Sequence, residues 1–384
     1  MEKRQAGAER PRESAQEARE AKQAGASLVA ELARRRAAAN ATPPDAPPQS
    51  QTPQIDAPAP GKSPPIAKAE SPKPSEFTEA QRKLLKAGDA IFRTAATTED
   101  KAYLARELVL ASLPHKNPGN QLPVWTRRNG DVVLGIQPGV NLTTKASYGY
   151  PYGSIPRLLL FFVTTEALRV GRRLELGSSL NGFMLQLGLS PLTGRGKRGD
   201  AKRLREQMER LFFARFSLQR VTESDQHRRQ ERIDMQVAPL SELWWNTRAP
   251  DQGGLFESWI ELGEEFYKAV TSAPVPADMR ALRALKQSPL ALDLYAWLTF
   301  EAFRAHKSGK RRFETWTQLH AHMGGEYAEV RNFRLKVKAA LRKIRVVYPK
   351  LKLGVRRGGL EVLPESYPAI QPRESSLIEA TLKR

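Results

Sequence analysis

Residues 154–221 and 288–353 read as one layout written twice, and this internal repeat constrains the fold more than any other feature of the chain. Each copy opens with a long apolar helical pattern, carrying Thr164-Thr165-Glu166-Ala167-Leu168-Arg169 in the first and Thr299-Phe300-Glu301-Ala302-Phe303-Arg304 in the second. A basic, strand-like stretch follows, Arg172-Arg173-Leu174-Glu175 and Arg311-Arg312-Phe313-Glu314. Next come a short helix, with Leu180 or Leu319 five residues beyond those acids, and a glycine turn around Gly188 or Gly324-Gly325. A basic amphipathic helix and two strands complete each copy. Helix, strand, short helix, turn, basic helix and two-stranded ribbon is the order of a helix-turn-helix module with a hairpin wing. The sequence therefore predicts an α+β fold of two tandem winged-helix domains after a disordered N-terminal tail.

Composition divides the chain further. Residues 43–74 hold eleven prolines among Ala, Ser, Gln and Thr, which makes an extended, semi-rigid linker because proline fixes φ and lacks the amide donor. Residues 1–40 are rich in Ala, Glu, Arg and Lys, with little to bury. The expected divisions are a tail at 1–75, a first winged-helix domain at 76–245, a second, DNA-binding one at 246–365, and a C-terminal tail at 366–384. Helical patterns at 78–93 and 99–112 lead into a hairpin, whose strands surround Val124–Arg127 and Val132–Ile136 across the Asn129-Gly130 turn signal.

With 62 Lys+Arg against 41 Asp+Glu the formal charge is +21, and a polyanion is the expected partner. The tail holds 12 basic and 9 acidic residues, so the surplus sits on the folded part. The sequence has no cysteine. That excludes disulfides, thiolate metal sites and cysteine nucleophiles, and suits the cytoplasm. Met1 to Glu20 has no apolar signal core, and the longest apolar run, Leu158 to Val163, is far short of the ~20 residues that cross a bilayer. No membrane partner is expected.

In the second copy Val330, Phe333, Val337, Leu341 and Ile344 mark one buried helix face. The opposite face carries Arg331, Asn332, Leu335, Lys338 and Arg342. An α-helix fits the major groove, where Arg pairs with guanine and Asn with adenine through two hydrogen bonds each. Arg331 and Asn332, near the helix start, are the expected base readers. Lys338 and Arg342 are placed for phosphates, and Arg334 joins the DNA-contacting set. Residues 304–357 hold 16 basic and 3 acidic residues. They lead into a hairpin whose Arg356-Arg357-Gly358-Gly359 turn sets two arginines at the wing tip, where they suit a narrow minor groove or flanking phosphates.

The matching helix of the first copy spans 200–213, with Asp200 as its expected N-cap. Leu204, Met208, Leu211 and Phe212 face inward, while Lys202, Arg203, Glu206, Glu209 and Arg210 point away. Lys202 and Arg203 are expected at DNA, together with Arg195, Lys197 and Arg198 in the preceding loop, and with Arg228 and Arg229 at the tip of a wing over Val221–Arg232. Glu206 suits either a hydrogen bond from cytosine or a protein contact. Two modules in one chain reach two successive major grooves, a site of roughly 20 base pairs.

Enzyme motifs fail on geometry. His320-Ala321-His322 has the His-hydrophobic-His spacing of a nickase, yet falls in the helical pattern Trp316 to Met323, where residues two apart face different sides. No acidic third ligand lies close by and no Tyr-x-x-Lys follows. Gly194-Arg195-Gly196-Lys197 lacks the spacing and the hydroxyl of a phosphate-binding loop. No catalytic residue, metal or cofactor is expected.

Several stretches resemble the RepA-type family of plasmid replication proteins. They are Gly149-Tyr150-Pro151-Tyr152-Gly153-Ser154-Ile155-Pro156-Arg157-Leu158-Leu159, Leu187-Gly188-Leu189-Ser190, Leu211 to Leu218, Ser288 to Leu298 and Val347-Tyr348-Pro349. The resemblance covers about 80–365. It implies a non-enzymatic initiator that binds repeated sites in double-stranded plasmid origin DNA, helps to open adjacent A·T-rich DNA and recruits host replication proteins such as the helicase, with a homodimer as a form that represses its own promoter. A winged-helix transcriptional regulator built from the same modules is the alternative that the sequence leaves open.

Overall fold

Capping and alternation set the elements of the protein, whose computed structural model describes residues 77–191, 199–223, 228–243, 258–324 and 326–370. The expectations for the tail at 1–75 and for Arg195, Lys197 and Arg198 fall outside them. Helix α1 (Glu79–Arg93) starts in a capping box between Thr78 and Gln81. Residues 101–110 correct the expected second helix. Lys101–Ala105 is a strand, β1, and only Arg106–Leu110 coils, as α2. The strand prevails because its antiparallel partner, β9 (Pro274–Asp278), supplies a ladder from the far side of the sequence, with Lys101 opposite Asp278. The expected hairpin forms as β2 (Trp125–Asn129) and β3 (Val132–Gln137), with Gly130 at φ 59.

The two copies then unfold along the chain in the expected order. The first runs α3 (Ser154–Val170), β4 (Arg173–Gly177), α4 (Leu180–Gln186), α5 (Asp200–Phe212), β5 (Arg215–Glu223) and β6 (Arg228–Gln236). Strands β7 (Leu240–Glu242) and β8 (Ser258–Glu261) follow, then α6 (Glu264–Ser272), β9 and α7 (Met279–Leu285). The second copy runs α8 (Pro289–Ser308), β10 (Arg312–Thr315), α9 (Trp316–Met323), α10 (Val330–Val347), β11 (Leu353–Val355) and β12 (Gly359–Val362).

Pairing distinguishes the copies. In the second, the strand after the long helix joins the terminal hairpin in the order β10-β12-β11. In the first, β4 pairs instead with β8, which also holds β7, while β5 and β6 extend the β2-β3 hairpin into a four-stranded sheet. The expected wing at 221–232 is thus the outer part of a longer hairpin spanning 215–236.

Both copies contribute to one apolar core, with Leu158, Leu159 and Phe161 of α3, Leu294 and Tyr295 of α8, and Phe333 of α10 all almost fully buried. The chain beyond β12 packs down as well. Ser366 is buried and its hydroxyl both donates to and is reached by the Lys352 backbone, and Tyr348 donates to the Tyr367 carbonyl at 2.7 Å. Among the described residues no helix is long and apolar enough to cross a membrane.

Candidate nucleic-acid interface

The best-defined basic surface begins at the turn before α10. A capping box between Thr315 and Gln318 starts α9. Gly324 ends it in a place that only glycine fits, since a Cβ there would lie 2.7 Å from the Phe333 ring and 3.0 Å from the His320 carbonyl. His320 Nε2 meets the Tyr327 carbonyl at 2.8 Å, and the rings of His320 and Tyr327 flank Phe333, with centroids 5.4 and 5.6 Å away. Phe333 then leads a buried stripe of Val337, Ala340, Leu341, Ile344 and Val347. This packing fixes which side of α10 looks outward.

That side carries Arg331, Asn332, Leu335, Lys338 and Arg342, all exposed. Among the described residues, Arg331, Lys338 and Arg342 have no carboxylate partner. Unpaired cations in a row keep their charge available to an external anion, and a helix of this kind can present it to phosphates and base edges. Arg334 departs from expectation. It lies at the flank, half-buried, with its Nε enclosed and meeting no hydrogen-bond partner.

The hairpin beyond α10 is anchored from inside. Buried Glu361 on β12 accepts from Arg311 at 3.1 Å and from Arg356 at 3.1 Å. The Trp316 indole donates to the carbonyls of Arg356 and Arg357, at 3.3 and 3.1 Å, which ties the turn to the start of α9. Gly359 leaves room for β10 to close on the hairpin, because a Cβ there would collide with the Glu314 carbonyl at 2.1 Å. The turn exposes both arginines. Glu361 partly neutralises Arg356, whereas Arg357 is free of carboxylates among the described residues.

The first copy is more self-compensated. Lys202 and Arg203 are exposed on α5, but Lys202 stands 3.8 Å from Glu206 and Arg203 3.3 Å from Asp200. Asp200 is not the N-cap. Gly199 occupies that position, and Asp200 is the first helical residue, its charge favoured there by the helix dipole. Arg210 and Glu209 do not point away either. The Arg210 guanidinium lies 5.1 Å from the Tyr152 ring centroid, and Glu209 is half-buried, its carboxyl pushed up by that burial. Arg229 pairs with Glu231 on the exposed β6, and Arg228 opens the same strand opposite Glu223.

A second constellation, unassigned from sequence, joins the copies. Arg157 of α3, 4% exposed, grips Asp293 of α8 through two hydrogen bonds of 2.7 Å, Nε to Oδ1 and Nη2 to Oδ2. It also donates to the carbonyls of Leu113, Pro114 and Gly153. His115 Nε2 adds a 2.8 Å contact to Asp293. Beside them Glu326, before α10, accepts from the backbone of His115 and Lys116 and from Arg127. Burial alone would raise the Asp293 pKa, yet Arg157 and His115 hold the carboxyl below its ordinary range. The signal in the sequence is a single charge in the apolar first half of each of two helices, Arg157 within 154–163 and Asp293 within 289–300, since a buried charge requires a partner. The nickase-like histidines belong to this packing. His320 binds the turn before α10, while buried His322 meets the Val109 carbonyl at 3.0 Å.

Comparison with known proteins gives this geometry a setting. Residues 150–318 match the family described as plasmid encoded RepA protein. The matched stretch includes both Arg157 and Asp293 and ends inside α9, before the basic helix. No curated protein matches the sequence. Two crystal structures of domains 2 and 3 of RctB, one of selenomethionine derivatives, are similar. Their TM-scores are 0.42 and 0.40 at 12% and 11% identity, over 67% of this chain and 97% and 95% of theirs.

Proposed function

We propose that the protein is a plasmid replication initiator which binds repeated sites in origin DNA through two winged-helix modules, with α10 as the principal recognition helix. The observation that carries this reading is the row of exposed cations on α10 that are unpaired among the described residues, backed by a hairpin that ends in Arg356 and Arg357. In this reading Arg331 and Asn332 reach base edges, Lys338 and Arg342 hold phosphates, and Arg334 serves from the flank. The more neutral α5, with Lys202 and Arg203, and the β5–β6 hairpin, with Arg228 and Arg229, follow the backbone of the adjacent groove. Arg195, Lys197 and Arg198 would extend that contact. The match of residues 150–318 to the RepA family supports the placing at an origin, where bound protein would promote opening of the DNA and recruit host helicase machinery. The protein would do this by binding alone, without cleaving DNA.

The test is enrichment of bound duplexes from a random pool by the full chain, followed by affinity measurements across a salt series. A defined sequence of about 20 base pairs is expected, the span of two successive major grooves. Its absence would refute the proposal. The double variant Arg356→Ala, Arg357→Ala should bind the enriched duplex and a random one more weakly alike. The slope of log affinity against log salt should flatten by about one unit for each phosphate that the variant no longer neutralises. An unchanged slope would remove the hairpin from the interface.

A further inference from the structure

The outward side of α10 contains one large apolar side chain among its cations. Leu335 stands four residues after Arg331, three before Lys338 and seven before Arg342, so at about 100° per residue the four make a single stripe. Phe333, Val337, Ala340 and Ile344 lie on the reverse side and are buried. Leu335 itself is 57% exposed. Isolated surface leucines are ordinary, but this one occupies the middle of the face that a helix turns towards the floor of a groove, with cations before and after it to hold the flanking phosphates. The floor of the major groove carries donors and acceptors, and the one methyl group there is the 5-methyl of thymine.

We infer that Leu335 is a specificity-determining residue that seats a thymine methyl group. The inference rests on the reading of α10 as a recognition helix. Burying the leucine against that methyl would remove from water apolar surface that the free protein leaves wet.

The first copy offers an internal comparison. Leu204, Met208, Leu211 and Phe212 of α5 are buried at the spacing of Phe333, Val337, Ala340 and Leu341. The position of Leu335 is therefore held in α5 by Glu206, whose carboxylate lies 3.8 Å from Lys202. A carboxylate accepts hydrogen bonds and gains nothing from a methyl group. The methyl contact is thus confined to the half of the site that faces α10, and the two halves of the site differ in sequence.

The full chain and its Leu335→Ala and Leu335→Met variants are each used to enrich bound duplexes from a random pool. Because Leu335 is exposed, all three should melt together. The wild type should select a thymine at one or two positions where Leu335→Ala shows no preference, with the other positions unchanged. Uracil in place of that thymine removes only the methyl group. It should weaken the wild type about fourfold, the effect of burying one such group, and weaken Leu335→Met comparably, while Leu335→Ala should not respond. If the wild type enriches a sequence but Leu335→Ala enriches the same one and keeps the uracil penalty, the inference is overturned while the recognition-helix reading stands. A Leu335→Ala protein that binds DNA as before but changes its mass in solution would make the leucine a protein contact and overturn it too. If the wild type enriches nothing, the recognition-helix reading itself fails.

Discussion

Replacing Asp293 with Ala is expected to lower the unfolding free energy by about 3–5 kcal/mol, the loss typical of a broken buried ion pair. Arg157 would remain enclosed between α3 and α8 with its charge uncompensated, retaining only the carbonyls of Leu113, Pro114 and Gly153. Asp293→Asn should be nearly as costly, because it preserves the shape and removes the charge. The double change Arg157→Leu, Asp293→Leu should recover much of the loss, since an apolar pair in place of a buried ion pair is often close to neutral. Denaturant midpoints of the wild type, the single variants Arg157→Leu and Asp293→Leu, and the double variant close a cycle that isolates the coupling. A loss within about 1 kcal/mol for Asp293→Ala, in the range of exposed pairs, would mean that water reaches the junction and that it does not hold the copies together.

Acid should weaken the same region in two stages. Burial lowers the His322 pKa from 6.5 to about 4, outweighing the hydrogen bond to Val109. Its folded value lies below the unfolded one, so the native state keeps the ring neutral while the unfolded chain takes up a proton. The contribution is therefore whole above about pH 6.5 and declines as pH falls towards 4, by roughly 1.4 kcal/mol per pH unit. The depressed carboxyl of Asp293 acts lower. Its contribution is present above about pH 4, the unfolded carboxylate value, and is lost as pH falls further towards the folded one. Urea midpoints between pH 8 and 4 should thus show a slope that His322→Gln flattens. An identical slope in both proteins would show that His322 is protonated in the fold as readily as outside it.

These junction residues mark the limit of what the sequence makes legible. Asn129-Gly130 between alternating residues announces the β2–β3 hairpin from local chemistry alone, and the three- and four-residue spacing from Phe333 to Ile344 announces which side of α10 is buried. Lys101–Ala105 reads as helix in the sequence because its strand partner lies in Pro274–Asp278, and no local pattern reveals pairing at that distance. The β5–β6 hairpin runs longer than expected because it is stabilised by β3, outside the repeat. Arg210 sits at the flank of its helix, where a helical projection counts it as solvated while its guanidinium lies over the Tyr152 ring, and Arg334, counted among the DNA-contacting residues, has its Nε enclosed. Arg157 and Asp293 are visible as charges in apolar runs, but only the folded chain brings them together. The family-like stretch around Tyr150 to Arg157 therefore serves the junction as well as the fold. Tyr150 donates to the Leu122 carbonyl at 2.6 Å, and the Tyr152 amide donates to Gln207 of α5.

Arg331→Ala tests most directly whether α10 reads DNA sequence. Arg331 is exposed at the second position of the helix, and its loss disturbs neither the buried stripe nor any ion pair among the described residues. Affinities of wild type and variant are measured for the enriched duplex and for a random duplex of equal length, at a series of salt concentrations. Loss of a base contact should weaken binding to the enriched duplex by about 1–3 kcal/mol and to random DNA far less, so that the ratio of the two affinities falls. An equal loss on both duplexes would contradict the account, making α10 a phosphate-facing surface without sequence readout.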